Sequence, residues 1–226
     1  MAVDNYTQQK AGGFVDRLAL KKRELMYHLF STEFPTASLA HVLDVGITAD
    51  KHALSSNYFE KYFPDKHKII ALSNQPGTFL EEIYPGLTFY QGDARSLPFE
   101  DDSIDVVFSS AVIEHIGHYK QQQKMLAECF RVAKRGLFIT TPNRWHPIEV
   151  HTLLPLLHWL PKSQHRLILK KLGLSFYADE NNLNLLDHQT LITMCRELGI
   201  ADFDFKFIKT FGFISNIILI ARKSQS

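Results

Sequence analysis

Three stretches of the chain carry residues whose types and spacing could do chemistry. The first is Asp44-Val45-Gly46, an acid and a glycine at the end of the short apolar run that begins at His41. The second runs from Tyr90 to Ile116, YQGDARSLPFEDDSIDVVFSSAVIEHI. It places Asp93 after one apolar run, Ser109-Ser110 after another, and Glu114-His115 just beyond. The third is Asn143-Arg144-Trp145-His146-Pro147-Ile148-Glu149-Val150-His151. An acid at a strand end accepts hydrogen bonds from a ligand, and a glycine lets the backbone approach it closely. A histidine near a carboxylate suits proton transfer, because imidazole titrates near neutral pH. Glutamate and histidine are also metal-ligand types, but the spacing of His146, Glu149 and His151 fits no standard zinc motif.

Such residues need elements to hold them. His41-Val42-Leu43-Asp44-Val45-Gly46 reads as a short buried strand meeting a glycine turn, with helical pattern to about Phe63, where Pro64 closes it. Lys68 to Leu72 is a second strand. A short helix lies between Pro76-Gly77 and Pro85-Gly86. Leu87 to Tyr90 and Ile104 to Phe108 are the third and fourth strands. Gln121 to Arg131 is a helix with Met125, Leu126, Cys129 and Phe130 on one face, and Gly136 to Thr140 is a fifth strand. Strand and helix alternate, which predicts a parallel sheet with helices on both faces. The pattern then changes. Asp187 caps a helix to Leu198, and Phe203, Phe205 and Phe207 alternate before Gly212 turns the chain into Asn216 to Ala221, a terminal antiparallel hairpin. Ahead of the sheet, Phe14 to Phe30 reads as a leading helix, and residues 1–12 as loosely held.

Composition bounds the rest. The 226 residues, 45% hydrophobic and 22% charged, are those of one ordinary globular domain. A formal net charge of +1 gives no electrostatic reason to propose nucleic acid as a partner. Cys129 and Cys195 read as small buried hydrophobes in a reducing compartment. No apolar run approaches the ~20 residues that span a bilayer, and MAVDNYTQQK lacks the layout of a signal peptide, so a cytoplasmic location is expected.

The string from Tyr90 to Ile116, with Asp44-Val45-Gly46 and the flanking strands, resembles the class I methyltransferases that use S-adenosylmethionine (SAM). The resemblance covers about Val42 to Ile220. It implies an α/β, Rossmann-like, seven-stranded and mostly parallel sheet ending in an antiparallel hairpin. It implies SAM as cofactor and S-adenosylhomocysteine (SAH) as product. By resemblance Asp44 holds the cofactor ammonium and Gly46 lets the backbone approach its methionine part. Asp93 accepts from the adenine amino group, and the Ala94 N–H meets a ring nitrogen. Ser109 and Ser110 lie beneath the sulfonium. Two departures stand out. The usual glycines after Gly46 are replaced by Thr48 and Asp50, and β-branched Thr48 resists positive φ. The acid that usually accepts both ribose hydroxyls is replaced by Ser73, followed by Asn74, which make weaker bonds than a charged acceptor.

Ile113-Glu114-His115 is similar to a sequence widespread in small-molecule and quinone-modifying methyltransferases. Some relatives hold a divalent metal with it, usually with a further acid one turn earlier. Here that place is Ala111, and no metal is expected. Three readings stay open for His115: a cap in the pocket wall, a substrate-orienting group and a general base. His115 and His146 are the candidate catalytic bases; Glu114, Asn143, Arg144, Glu149 and His151 are the candidate acceptor contacts.

The chain is expected to be a single domain, with residues 1–38 as a helical extension and 144–186 as an inserted lid. Within the lid, 152–171 combines apolar residues with Lys162, Arg166, Lys170 and Lys171, a pattern that suits peripheral contact with the inner face of a membrane. The expected function is methyl transfer from SAM to a small or lipid-linked acceptor. The alternative, motivated by Thr48 and Ser73, is a non-catalytic SAM-fold module that binds a ligand or protein. A dehydrogenase is disfavoured because GITADK stands where its glycine fingerprint belongs.

Overall fold

The computed structural model describes residues 14–49 and 56–224. The expectations for residues 1–12 and for Asp50 lie outside the described residues. Helix α1 spans Phe14–Glu33. Strands β1 (Val42–Val45), β2 (Ile69–Ser73), β3 (Thr88–Gln91), β4 (Ile104–Ser110) and β5 (Ala133–Pro142) alternate with helices α2 (Tyr58–Tyr62), α3 (Leu80–Ile83) and α4 (Tyr119–Val132). Helices α5 (Lys162–Lys171), α6 (Ser175–Ala178) and α7 (His188–Glu197) follow, then strands β6 (Asp202–Thr210) and β7 (Phe213–Arg222). The seven strands form one sheet in the order β3-β2-β1-β4-β5-β7-β6. Strands β1 to β5 are mutually parallel, and β7 runs antiparallel between β5 and β6. The expected α/β, seven-stranded, mostly parallel sheet with a terminal hairpin is the architecture observed.

Side chains alternate across the sheet, so each strand feeds two cores. Leu43, Val45 and Val107 pack with Met125, Leu126 and Cys129 of α4 and with Leu191, Met194 and Cys195 of α7. Val42, Val106, Phe108 and Phe138 pack on the other face with Met26 and Phe30 of α1 and Phe59 of α2. Both cysteines are buried and unpaired. A third, smaller core lies between β5 and α7 in the chain, where Leu169, Tyr177, Ala178, Leu183 and Leu185 cluster.

The central elements run longer than the sequence pattern suggests. Strand β4 extends through Ser110, and β5 extends from Ala133 to Pro142 because β7 pairs it out to Asn216. Gly136 is obligatory there, since a Cβ would sit 2.2 Å from the Ala221 carbonyl oxygen of β7. Of the helix expected up to Phe63, the described part is α2, at Tyr58–Tyr62. Strand β6 is an edge strand, so Phe207 is 39% exposed despite the apolar alternation.

Candidate active site

The carboxyl ends of β1 and β4 lie side by side, with Asp44 paired to Phe108 in the ladder. That is the crevice where open α/β sheets take ligands. Asp44 is buried at its floor. Facing it is Glu60, presented by α2 and fully buried. Burial and then the Glu60 carboxyl hold the Asp44 carboxyl well above the usual range, and burial raises Glu60 as well. Two buried carboxyls so placed share protons, and a cation between them would discharge the pair. Sequence reasoning missed Glu60, because nothing in FEKY separates a buried glutamate from a solvated one.

Gly46 has φ +98, and a Cβ on it would stand 2.2 Å from Val112 Cγ2. Beyond it the turn is pinned by Asn57, whose Oδ1 accepts from Thr48 N–H (3.1 Å) and whose Nδ2 donates to the Thr48 carbonyl (2.9 Å). A side-chain clamp therefore holds the path that glycines usually permit.

Ser73 ends β2 in a buried position, with Asn74 exposed beside it. The Ser73 hydroxyl accepts from Gln75 N–H at 3.3 Å. Asp93 follows β3, and its carboxylate is gripped by Arg95 through Nε (2.9 and 3.0 Å) and Nη2 (2.7 Å). That guanidinium holds the Asp93 carboxyl below its ordinary value. Ala94 is buried next to it. An adenine amino group at Asp93 would share the carboxylate with Arg95. Ser109 donates to the Val45 carbonyl at 2.8 Å, which ties β4 to β1. The Ser110 hydroxyl lies 3.0 Å from Thr140 Oγ1 and accepts from the Tyr58 hydroxyl at 3.2 Å.

The second cluster joins the short turn after β4 to the segment after β5. Glu114 is fully buried. Its Oε2 accepts from Thr141 at 2.9 Å, and Oε1 has no hydrogen-bond partner among the described residues. Burial pushes its carboxyl up to about 7. His115 Nδ1 lies 2.6 Å from the Asn182 carbonyl oxygen, which fixes the proton there in the neutral ring. Burial, then the neighbouring His151, lowers its pKa to about 4, so His115 is neutral at pH 7. The rings of His115 and His151 meet edge to face at 4.9 Å. His151 Nδ1 lies 2.5 Å from Glu149 Oε1. Glu149 also accepts from the His151 N–H and from Thr152 N–H and Oγ1, at 2.9, 2.7 and 2.7 Å. Burial opposes both charges, yet these bonds pull the Glu149 carboxyl down to about 2 and raise His151. The cluster is thus an ion pair, Glu149–His151, beside a titratable acid and a neutral imidazole. One atom each of Glu114, His115 and His151 lies within 4.8 Å of the others, so the three are also of a type and spacing to hold a metal ion.

The remaining expected residues lie apart from this cluster. His146 turns onto its own loop, with Nδ1 2.8 Å from the Ile148 carbonyl oxygen. Asn143 staples β5 to the hairpin, donating to Ile214 and Ser215 carbonyls. Arg144 donates to the Leu160 carbonyl and lies over the Trp145 ring. The structure therefore brings together Glu114, His115, Glu149 and His151, and places Asn143, Arg144 and His146 in the surrounding frame.

Comparison with known proteins agrees with this geometry. Residues 53–140 match the protein family described as a methyltransferase domain. A probable SAM-dependent methyltransferase of Mycolicibacterium smegmatis is 40% identical over 63 residues, 27% of this chain and 23% of the relative. In sequence this chain is similar to SAM-dependent methyltransferases, and in fold to solved members of that group. A second methyltransferase relative, phthiotriol/phenolphthiotriol dimycocerosates methyltransferase 1 of Mycobacterium ulcerans, is 44% identical over 55 residues, 24% of this chain and 19% of the relative. The chain matches about a fifth of the length of these curated methyltransferases. Among solved methyltransferases, magnesium protoporphyrin IX methyltransferase from Synechocystis with bound SAH superposes with TM-score 0.59 at 15% identity, over 97% of this chain and 91% of that one. A Burkholderia thailandensis 1,6-didemethyltoxoflavin-N1-methyltransferase gives TM-score 0.59 at 12% identity, over 89% and 78%. SAM is the cofactor of this methyltransferase family.

Proposed function

We propose that this chain transfers the methyl group of SAM to a small or lipid-linked acceptor. The observation that carries the reading is the adjacency of two sites. Gly46, directly after β1, packs against Val112, and Val112 leads straight into Ile113-Glu114-His115, so one short turn joins the β1–β4 crevice to the buried Glu114, His115 and His151 cluster. Asp44 and Gly46 would take the methionine part of SAM, Ser73 and Asn74 the ribose, Asp93 and Ala94 the adenine. Ser109 and Ser110 would lie beneath the sulfonium, with Ser109 acting through its backbone.

Bound SAM would supply a methyl group on an activated sulfonium, and the residues around the crevice would hold an acceptor atom in line with it. Alignment supplies several kcal/mol, and the activated sulfonium makes a metal unnecessary. An acceptor hydroxyl must also lose a proton. His115, neutral and held at Nδ1 by Asn182, is the base in this reading. Glu149–His151 fixes its surroundings, and Glu114, titrating near neutrality, passes the proton on. If the reading is right, chelators leave the rate unchanged. A rate lost to chelation and restored by a divalent cation would recast Glu114, His115 and His151 as metal ligands.

Residues 144–186 form the acceptor lid in this proposal. Trp145, Ile148, Leu153, Leu156 and Trp159 are 41 to 49% exposed on it, and Lys170 and Lys171 follow further along the chain at the end of α5. That combination supports contact with a membrane surface from which a lipid-linked acceptor is taken. Among the described residues no helix is long and apolar enough to cross a membrane. The second reading, a non-catalytic SAM-fold module, draws on the grip of Arg95 on Asp93.

The test is calorimetric titration with SAM and SAH, with Asp93→Ala as control. Micromolar binding that is lost in the variant supports the cofactor site, and an acceptor screen follows. Failure of both ligands to bind, with and without candidate acceptors, would sink the reading.

A further inference from the structure

Beside the acceptor cluster lies a second, shallow cleft, open to solvent and lined by Arg144, His158, Lys162, His165 and Arg166. Arg144 enters it from the segment after β5, His158 from a short turn, and Lys162, His165 and Arg166 from the first turns of α5. Lys162 and Arg166 are four residues apart and share one helix face.

Countercharge is sparse. Arg166 pairs with Glu180 at 2.8 Å. Asp187 acts on Arg144 and Lys162 from a distance, but its carboxylate is bound to Thr190 and Trp145. The Glu149 carboxylate faces His151 and Thr152. Among the described residues the hydrogen-bond partner of Lys162 Nζ is the neutral Asn184 Oδ1, at 2.5 Å, and Glu180 acts on it from a distance. Burial, then Arg144 and Arg166, lowers the Lys162 pKa, as expected for a cation held among cations.

Two buried polar atoms at this cleft have no hydrogen-bond partner among the described residues: Arg144 Nε and His158 Nδ1. His158 is only 2% exposed, and its Nε2 is committed to the His146 carbonyl oxygen at 2.7 Å. A ligand bringing negative oxygens would accept from Arg144 Nε and Lys162 Nζ and draw a proton onto His158 Nδ1. An unpaired buried donor, Arg144 Nε, beside clustered positive charge and an imidazole that can take up a proton at Nδ1 marks a site shaped for such a ligand. Asn184 connects this cleft to the acceptor cluster, since its N–H donates to the Glu114 carbonyl at 2.7 Å while its Oδ1 holds Lys162.

We infer that this cleft is a subsite for a phosphate-type oxyanion carried by the methyl acceptor. The inference rests on the reading of 144–186 as the acceptor lid. It narrows the acceptor class to molecules with an anionic group near the methylated atom, whether a lipid headgroup or a soluble phosphate ester. The cations Arg144 and Lys162 fix the anion, and the neighbouring Glu114 and His115 face the group to be methylated.

The experiment is titration of the full chain with inorganic phosphate at constant ionic strength, followed by calorimetry. Chloride serves as the control anion. Saturable binding at or below about 1 mM is expected. Lys162→Met should weaken it at least tenfold. Glu180→Gln, which frees Arg166, should strengthen it several-fold, a gain that misfolding cannot mimic. Phosphate heats matched by chloride, or affinity unmoved by both substitutions, overturn the inference. Competition by phosphatidylglycerol vesicles but not by phosphatidylcholine vesicles assigns the anion to a lipid headgroup; phosphate binding without that competition assigns it to a soluble ester. SAH titrated in parallel separates the two proposals. Phosphate binding with the variant pattern but no SAH binding leaves the subsite standing and removes the methyl-transfer reading. SAH binding without phosphate binding does the reverse.

Discussion

His151 Nδ1 and Glu149 Oε1 lie 2.5 Å apart, both side chains buried, two residues from each other in the chain. The pair closes a tight loop in which one carboxylate accepts four hydrogen bonds. Its stability has a definite pH window. The Glu149 carboxyl is depressed from 4.5 to about 2, so its contribution is present above pH 4.5 and is lost as pH falls through 2. His151 is raised from 6.5, so its contribution is full below 6.5 and is lost as pH rises through the folded value. The difference in unfolding free energy between the native protein and Glu149→Gln should peak between pH 4.5 and 6.5. We expect about 3 kcal/mol at the peak, since breaking a buried pair strands the other charge. Urea melts across pH check it; a flat difference would contradict the ion pair.

Gly46 tests the crevice itself. An added Cβ meets Val112 Cγ2 at 2.2 Å, and φ +98 is unfavourable for any other residue. Gly46→Ala should destabilise the fold by about 2–5 kcal/mol, from strain and overpacking together. Adding Val112→Ala should recover the steric part and leave the backbone part. Denaturation of the three variants measures the split; full recovery would mean that backbone strain is absent.

The Asp44–Glu60 pair predicts proton release. Both carboxyls are raised, so the folded state binds protons that the unfolded state does not, and stability falls as pH rises above the ordinary carboxylate range. Glu60→Gln should flatten that fall and lower the Asp44 pKa. A cofactor ammonium at Asp44 would discharge the pair, so SAM binding should be coupled to proton release. Calorimetry in buffers of different ionisation enthalpy reads this directly. Identical heats in all buffers would mean that the pair is not where the ammonium binds.

The exposed apolar residues of the segment after β5, proposed as a lid, give a prediction independent of the chemistry. Leu153 and Leu156 are 46% and 49% exposed and both have positive φ, near +59 and +58, which holds them outward. Leu153→Asp with Leu156→Asp should leave SAH affinity unchanged and reduce co-sedimentation with vesicles about tenfold, the loss expected from removing two apolar contacts and adding two charges. Equal sedimentation of variant and parent would argue that this face meets something other than a bilayer.

Local pattern carried much of this protein. Strand–helix alternation, the Gly46 turn, the Asp187 cap and the alternating hairpin are short-range features, and each depends on residues a few positions apart. They determine the sheet, and the sheet determines that Asp44, Ser73, Asp93 and Ser110 end at one edge. What only the tertiary structure decided is pairing across the chain. Glu60 faces Asp44 because α2 packs on β1. His151 meets His115 because the segment after β5 folds back over the turn after β4, across 35 intervening positions. His146 and His151 are both histidines in the same polar loop, and nothing local ranks them. The physical reason is that burial and proton affinity are set by what lies around a side chain, and those neighbours arrive from elements far away in sequence. The same holds for the basic cleft: Arg144, His158 and Lys162 read as scattered solvated charges until the lid folds and leaves them facing one another with little to neutralise them.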